Sequence, residues 1–377
     1  MVTSILDHIV LFILLFTIFF VFTKFNQSYI NKHFWVIVAI PIIIYTLILG
    51  CRYGWGNDYL VYKFRYYHPI LNRNEDMGFE IMNLVMNKIG FNYVGGFLTY
   101  SFIFITAAFC LIRDYKENKY MLAFFLPATI LLSTFTIRQS VGHAFVFLAL
   151  HFFHYKKYEL TALMLAIVYS IHPGAILMII PMLPLYYLVK KPFPMKLTIP
   201  LYTSAALLTD LFSSQVISLA SQYLPMLTLE NKFNNYLQNE RWYGANAMNE
   251  QWKQSNLTLI LSTACHVGII YLGYIALKYK CQKKICYIYN TVVIGLITTR
   301  IFWTFEIFRR IAEAWAQLYF IPLGYGVYFF THCYKKLKTE ERIYSYCALA
   351  AILIYLFLYY GRFIFQSPKY IFIWNKL

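Results

Sequence analysis

Apolar runs of membrane-spanning length follow one another along almost the whole chain, and no other feature restricts the fold as strongly. A helix rises about 1.5 Å per residue, so roughly 20 apolar residues cross a hydrocarbon core of about 30 Å. Such runs lie at 5–23, 34–50, 93–112, 120–135, 139–154, 159–172, 174–189, 197–217, 257–277, 285–305, 311–331 and 343–361, about twelve spans. Hydrophobic residues make up 60% of the chain and charged residues only 13%, whereas a soluble domain is nearer 25% charged. The expected fold is an all-α polytopic membrane protein, with residues 1–377 as a single integral membrane domain. The first run, Ile5 to Phe22, has neither a basic leader nor a small-residue cleavage site and reads as a retained span. His172-Pro173 reads either as a turn between two spans or as a break in one.

The net charge of +17 would suggest nucleic acid in a soluble protein. Here much of it is lysine in every second loop: Lys24 and Lys32, Lys116 and Lys119, Lys156 and Lys157, Lys190 and Lys191, Lys278 to Lys284, and Lys335 to Lys338. Positive loops stay inside, so this set is assigned to the cytoplasm and both termini to the outside. Most arginines fall on the opposite side: Arg52, Arg65, Arg73, Arg138, Arg241, Arg300, Arg309, Arg310 and Arg362. Orientation needs only positive charge, whereas arginine adds a planar fork that grips a phosphate at two points. An outer arginine cluster asks for an anionic partner. The seven cysteines include no C-x-x-C pair, so neither a disulfide framework nor a zinc site is indicated.

Two outer segments are long enough to fold. The first, 51–92, begins with Arg52, turns at Gly54 and Gly56, and reaches Asp58, placed to cap a short helix from Tyr59. Tyr59, Tyr62 and Tyr66 recur at spacings of three and four. Residues 75–92 then read as an amphipathic helix lying on the membrane. The second segment, 218–256, is rich in aromatic residues and amides, including Tyr236 and Trp242. Such a surface suits sugar rings, and it equally suits a plain solvated loop.

The candidate chemistry lies at the outer ends of the runs. Arg138, in Thr136-Ile137-Arg138-Gln139-Ser140, sits between two apolar runs, where a cation is costly and marks a functional site by default. His143 follows one turn later. His172 precedes a Pro-Gly break and is the side chain best suited to take a proton near neutral pH. Arg309 and Arg310 precede a helix expected from Ile311, and Glu313 is spaced to pair with one of them. Arg300 lies earlier in the preceding span, with Glu306 a candidate partner. The sequence has no glycine-rich nucleotide loop, no Ser-His-Asp order and no acidic metal cluster. A reaction here would use a pre-activated substrate without a cofactor or metal. A lipid diphosphate-linked sugar qualifies, because arginines can stabilise the charge that develops on its leaving diphosphate.

These residues resemble the EpsG-like family of bacterial exopolysaccharide polymerases, related in role to the O-antigen polymerases. The family pattern Arg-x-x-Gly-x-Asp-Tyr-x-x-Tyr is met by Arg52 to Asp58 with Tyr59 and Tyr62, one residue looser than usual. Asp76-Met77-Gly78-Phe79-Glu80, Ile137-Arg138-Gln139, Ile171-His172-Pro173-Gly174-Ala175 and Arg310-Ile311-Ala312-Glu313-Ala314-Trp315 match later elements in order. His143 departs from the alanine frequent at its position.

The resemblance implies a GT-C-like membrane glycosyltransferase architecture. It implies transfer of a growing glycan from undecaprenyl diphosphate to a fresh lipid-linked repeat unit at the outer face. A chain-length regulator and a flippase of the same pathway are the further partners expected, beside membrane lipids and without nucleic acid. On this reading Arg52, Arg138, Arg309 and Arg310 bind the diphosphate. His172 is the general base with Asp58 its rival. Tyr59, Tyr62, Gln139, Tyr236 and Trp242 hold sugars. A carrier of lipid-linked oligosaccharide, an acyltransferase that decorates the glycan and a glycan ligase are the competing readings. The carrier should show internal repeats and broken spans on both faces, and the inner loops are short and lysine-rich instead.

Overall fold

The computed structural model describes residues 19–54, 58–69, 76–209, 255–303, 306–366 and 371–372, with positions 13 and 17. Most of the first expected span lies outside the described residues. So does the outer segment 218–256 up to residue 254, with Tyr236 and Trp242. The described chain is all-α apart from a two-residue ladder in which β1 (Arg52–Tyr53) pairs antiparallel with β2 (Ile371–Phe372). α5 (Tyr93–Arg113), α11 (Asn256–Tyr279) and the Thr339–Tyr359 part of α15 (Thr339–Gln366) are long and apolar enough to cross a membrane. α2 (Phe34–Gly50) and α8 (Tyr158–Ile171) are apolar and shorter. The count of about twelve spans remains a reading of the sequence.

The chain forms two compact units. The first comprises 1–180, 323–328 and 356–377, and the second 181–322 and 329–355. In the first unit, α2 packs on α5, α5 on α7 (Ile137–His154), and α7 on α8. Two short helices, α3 (Tyr59–Tyr67) and α4 (Met77–Lys88), pack on each other, α3 also on α5 and α4 also on α8. α1 (Gln27–Lys32) and α6 (Lys119–Phe135) complete this unit's helices up to residue 171. α4 meets the end of α8 at Gly78, where a Cβ would stand 2.9 Å from the backbone carbon of Ser170. Only glycine admits that contact, which fixes the height of α4 against the end of α8. At the other end of the unit, the buried Asp114 carboxylate is paired with Nδ1 of both His151 and His154, at 2.7 and 2.8 Å.

Two expected spans are broken. Residues 174–189 form a 3-10 turn, Pro173–Met178, followed by the short α9 (Met182–Leu188). Pro173 opens the turn, and Pro181 and Pro184 cannot donate to a continuous helical ladder. Residues 311–331 divide into α13 (Glu306–Ala316), a 3-10 turn at Gln317–Tyr319 and α14 (Phe320–His332). Arg309 and Arg310 therefore lie within α13, not in a turn ahead of it. In the second unit α13 packs on α12 (Lys283–Ile301), and α10 (Met195–Leu207) packs on both α11 and α12.

Candidate functional site

The first unit gathers four of the five spaced motifs at one end. Gly50 closes α2, and Gly54 turns the chain with φ 72°, a left-handed conformation open to glycine. The strand pairing holds the backbone of Arg52 between these glycines. Its side chain is 2% exposed and its Cζ lies 5.6 Å from the centroid of Phe97. Burial lowers the Arg52 pKa to about 10, with Tyr45, Tyr59 and Tyr62 acting in the opposite sense. Arg52 is a buried cation at neutral pH.

Asp58 stands at the start of α3 but makes no side-chain cap bond. Its φ of −98° and ψ of 8° depart from the extended geometry that aims a capping oxygen at the helix amides. Helical spacing turns Tyr59, Tyr62 and Tyr66 inward together, all buried, as the sequence suggested. Tyr59 packs edge-on to Phe97 at 5.4 Å and Tyr62 edge-on to Phe79 at 5.9 Å. These two tyrosines, expected to hold sugar rings, pack into the protein's own aromatic core with Tyr100, Ile137, Val141 and Ile171. Burial raises the Tyr62 pKa. Arg138 and Arg65 oppose that rise and Asp58 adds to it. Arg52, Arg138 and Asp58 thus each lie within electrostatic reach of Tyr62.

Each of two arginines here has a carboxylate partner from one short helix. Asp76 begins α4 in a left-handed conformation, φ 65°, and accepts from Nη1 of Arg138. One turn later the buried Glu80 pairs with Arg65. The sequence marks this as an amphipathic helix but not as the source of the arginine partners. The spacing of four between Asp76 and Glu80, which puts both on one face, is the signal that carries it.

Arg138 sits on the first turn of α7, with the half-buried Gln139 beside it and His143 buried one turn on. His172 ends α8 in an extended conformation, and its carbonyl accepts from the Ala175 amide at 2.8 Å. The His-Pro-Gly-Ala turn rests on α7 at Gly142, where a Cβ would lie 3.1 Å from the Cβ atoms of both His172 and Ala175. Gly142 is four residues after Arg138, so His172 and Arg138 approach the same stretch of α7.

Arg309 and Arg310 belong to the second unit. Arg309 is buried, with Nε 3.4 Å from Glu313, the spacing the sequence singled out. Its Nη1 donates to the Trp303 carbonyl at 3.5 Å, and Arg310 is exposed. Arg300 is buried. Its Nε donates to the Tyr202 hydroxyl at 3.0 Å and its Nη2 to Ser262 at 2.6 Å. The side chain of Glu306, its candidate partner, lies outside the described residues. The Tyr202 hydroxyl also meets Nδ1 of His266 at 2.7 Å. These hydroxyl and imidazole partners carry no local motif, although Ser262 and His266 share one face of α11 by their spacing of four. Among the described residues no group of three His, Cys, Asp or Glu side chains is arranged to hold a metal ion.

No curated protein and no solved structure matches this chain. A family model does, over residues 35–375, a range that takes in every motif described above. By that match the chain belongs to the EpsG family, a family of exopolysaccharide polymerase-like membrane proteins.

Proposed function

We propose that the chain polymerises a polysaccharide of the exopolysaccharide, capsule or O-antigen type from lipid diphosphate-linked repeat units, at the outer face of the cytoplasmic membrane. One observation carries this reading. Arg52, Asp58, Arg138 and His172 come from four separate stretches of sequence and are held at one end of the first unit around a common buried aromatic core.

The step is a displacement at a sugar's anomeric carbon. The acceptor hydroxyl oxygen forms the new glycosidic bond, and its proton passes to His172, with Asp58 as the alternative base. The bond from the anomeric carbon to the carrier diphosphate breaks, and the diphosphate leaves with the electron pair. Arg52 is suited to meet that charge because its burial strengthens every interaction it makes. Arg138 adds a fork that can share its donors between Asp76 and a phosphate. Arg309 and Arg310 of the second unit are further candidates for phosphate, and Gln139, Tyr236 and Trp242 are the candidates for the sugars. Asp76 and Glu80 hold the arginines in place.

The test is purified chain in lipid with an undecaprenyl diphosphate-linked repeat unit as the only substrate. A ladder of lengthened lipid-linked products is expected. Transfer only to a foreign acceptor would make the chain a ligase, and substrate movement without turnover would make it a carrier.

A further inference from the structure

The chain carries no acidic residue from position 8 to position 57, yet it turns through Lys24 and Lys32 on its way into α2. Both lysines are exposed. Arg113, the last residue of α5, is exposed at the same end of the first unit, with its Cζ 5.7 Å from the centroid of Trp35 near the start of α2. Lys24 also lies within electrostatic reach of Lys119, at the start of α6. The acidic residues that follow α5 do not reach the surface. The Asp114 side chain is buried against His151 and His154, and Glu117 is buried. The charge presented to solvent by Lys24, Lys32 and Arg113 is therefore positive.

Beside these cations runs an apolar groove of about 330 Å³, within the range of about 300–1,000 Å³ usual for ligand pockets. Val21, Phe22 and Phe25 form one wall, and Val36, Ile40 and Pro41 of α2 form the other. Lys24 lies between two residues of the first wall, and Lys32 follows Tyr29, a further lining residue, by three positions. Rim and groove are thus built from the same turns of chain. The spacing of four puts Val36 and Ile40 on one face of α2, where they are 75% and 62% exposed. Ile43 and Leu47 continue that exposed strip. From Val36 to Leu47 the helix rises about 16 Å, close to half of a hydrocarbon core of about 30 Å. An apolar strip one leaflet deep therefore ends at a basic rim.

We propose that this groove and its rim hold one anionic phospholipid. Its phosphate sits among Lys24, Lys32 and Arg113, and one acyl chain lies in the groove and along Ile43 and Leu47. The site is at the end of α2 remote from Arg52, and it does not rest on the polymerase reading. A zwitterionic lipid matches the strip but not the rim. A second copy of the chain docked by this face would bring the same cations against one another.

The experiment reads Trp35, exposed beside Val36, in the purified full chain in nanodiscs. The probes are phosphatidylglycerol and phosphatidylcholine with brominated acyl chains, each titrated into unlabelled phosphatidylcholine. Bromine quenches indole fluorescence on contact, and the Trp35 signal is the difference between wild type and Trp35→Phe. A basic residue at an anionic headgroup contributes about five-fold, so with two lysines engaged phosphatidylglycerol should quench saturably at a mole fraction roughly 25-fold lower than phosphatidylcholine. Lys24→Gln and Lys32→Gln should each cut that preference about five-fold, and the double variant should abolish it. Lys88→Gln removes the same charge from α4 and should leave the preference unchanged. Glycerol phosphate, a headgroup without chains, should not relieve the quenching. Thermal midpoints of the same samples show whether each variant is folded. Equal quenching by the two lipids in the wild type overturns the proposal, as does a preference that survives in the folded double variant. Relief by glycerol phosphate would assign the rim to free phosphate, and Trp35 quenched by neither lipid would mean that protein covers the groove; either result also overturns it.

Discussion

Asp76 and Arg138 make the sharpest test of how the first unit handles charge, because one substitution should move stability and anion binding in opposite directions. Asp76→Asn keeps the shape of the side chain and tolerates the left-handed backbone at φ 65°. It removes only the negative charge that meets Nη1 of Arg138. The Asp76 side chain is 7% exposed and that of Arg138 is 24% exposed, so the pair is partly screened and falls short of a fully buried one. A hydrogen bond between charged groups contributes about 1.5–3 kcal/mol, and partial exposure places this one toward the lower figure. Reversible unfolding of the purified chain should show Asp76→Asn less stable by about 1.5 kcal/mol. In the background of Arg138→Gln the same change should cost much less, because the partner is already gone. That difference is the coupling energy of a double-mutant cycle. Binding should respond the other way. Without the carboxylate, the Arg138 fork no longer divides its donors, and affinity for farnesyl diphosphate should rise several-fold. Equal cost in both backgrounds would show that the pair carries no energy. Weaker binding in Asp76→Asn would show that Asp76 orients Arg138 for phosphate instead of competing with it.

Four further outcomes follow from the same geometry. Gly78→Ala should destabilise the chain by about 1–3 kcal/mol, read by unfolding, because its Cβ would meet the Ser170 backbone; the smaller gain in helix propensity does not offset this. Glu80→Gln should cost a similar amount and loosen α3 against α4, seen as faster amide exchange over 59–67, since Arg65 loses its buried partner. His172→Gln should leave farnesyl diphosphate affinity within about two-fold while abolishing product ladders, and ladders of normal rate would pass the proton to Asp58; the two-fold figure reflects a residue that makes no charged phosphate bond. Asp114→Asn strips two histidines of their shared carboxylate at the far end of the same unit, so it should lower the thermal midpoint without changing farnesyl diphosphate affinity.

The all-α class was legible because apolar runs and lysine loops alternate along the chain, and backbone groups in lipid leave helices as the available solution. Helix α5 appears within one residue of its expected bounds for that reason. What local sequence could not show was where prolines divide an apolar run. Pro181 belongs to a stretch whose mean hydropathy still reads as a span, and the backbone donor it lacks marks the start of the new helix. The site was legible in part. Arg52, Arg138 and His172 announce themselves because a cation or an imidazole is costly among apolar neighbours. The partners do not. Asp76 lies far from Arg138 in sequence, and Tyr202 farther still from Arg300, so both pairings depend on which helices pack together. The tyrosines were legible only as a face, for a related reason. Spacings of three and four show that Tyr59 and Tyr62 share a face, but not whether that face meets a sugar or Phe97 and Phe79.

That last point bears on how the first unit works. An aromatic wall beneath a buried arginine gives a cation a fixed position without neutralising it, since ring faces attract positive charge and carry none. Phe97 and the backbone pairing at β1 hold Arg52. Arg138 is held by a carboxylate. A phosphate that engages both must share Arg138 with Asp76. An arrangement of this sort favours a ligand with two linked phosphates, because the second phosphate binds at no further entropic cost once the first is engaged. Farnesyl monophosphate should then bind the first unit far more weakly than farnesyl diphosphate, by more than the loss of one charged contact, about 10- to 150-fold, accounts for. A monophosphate that binds within that range would mean that Arg52 and Arg138 act on separate ligands.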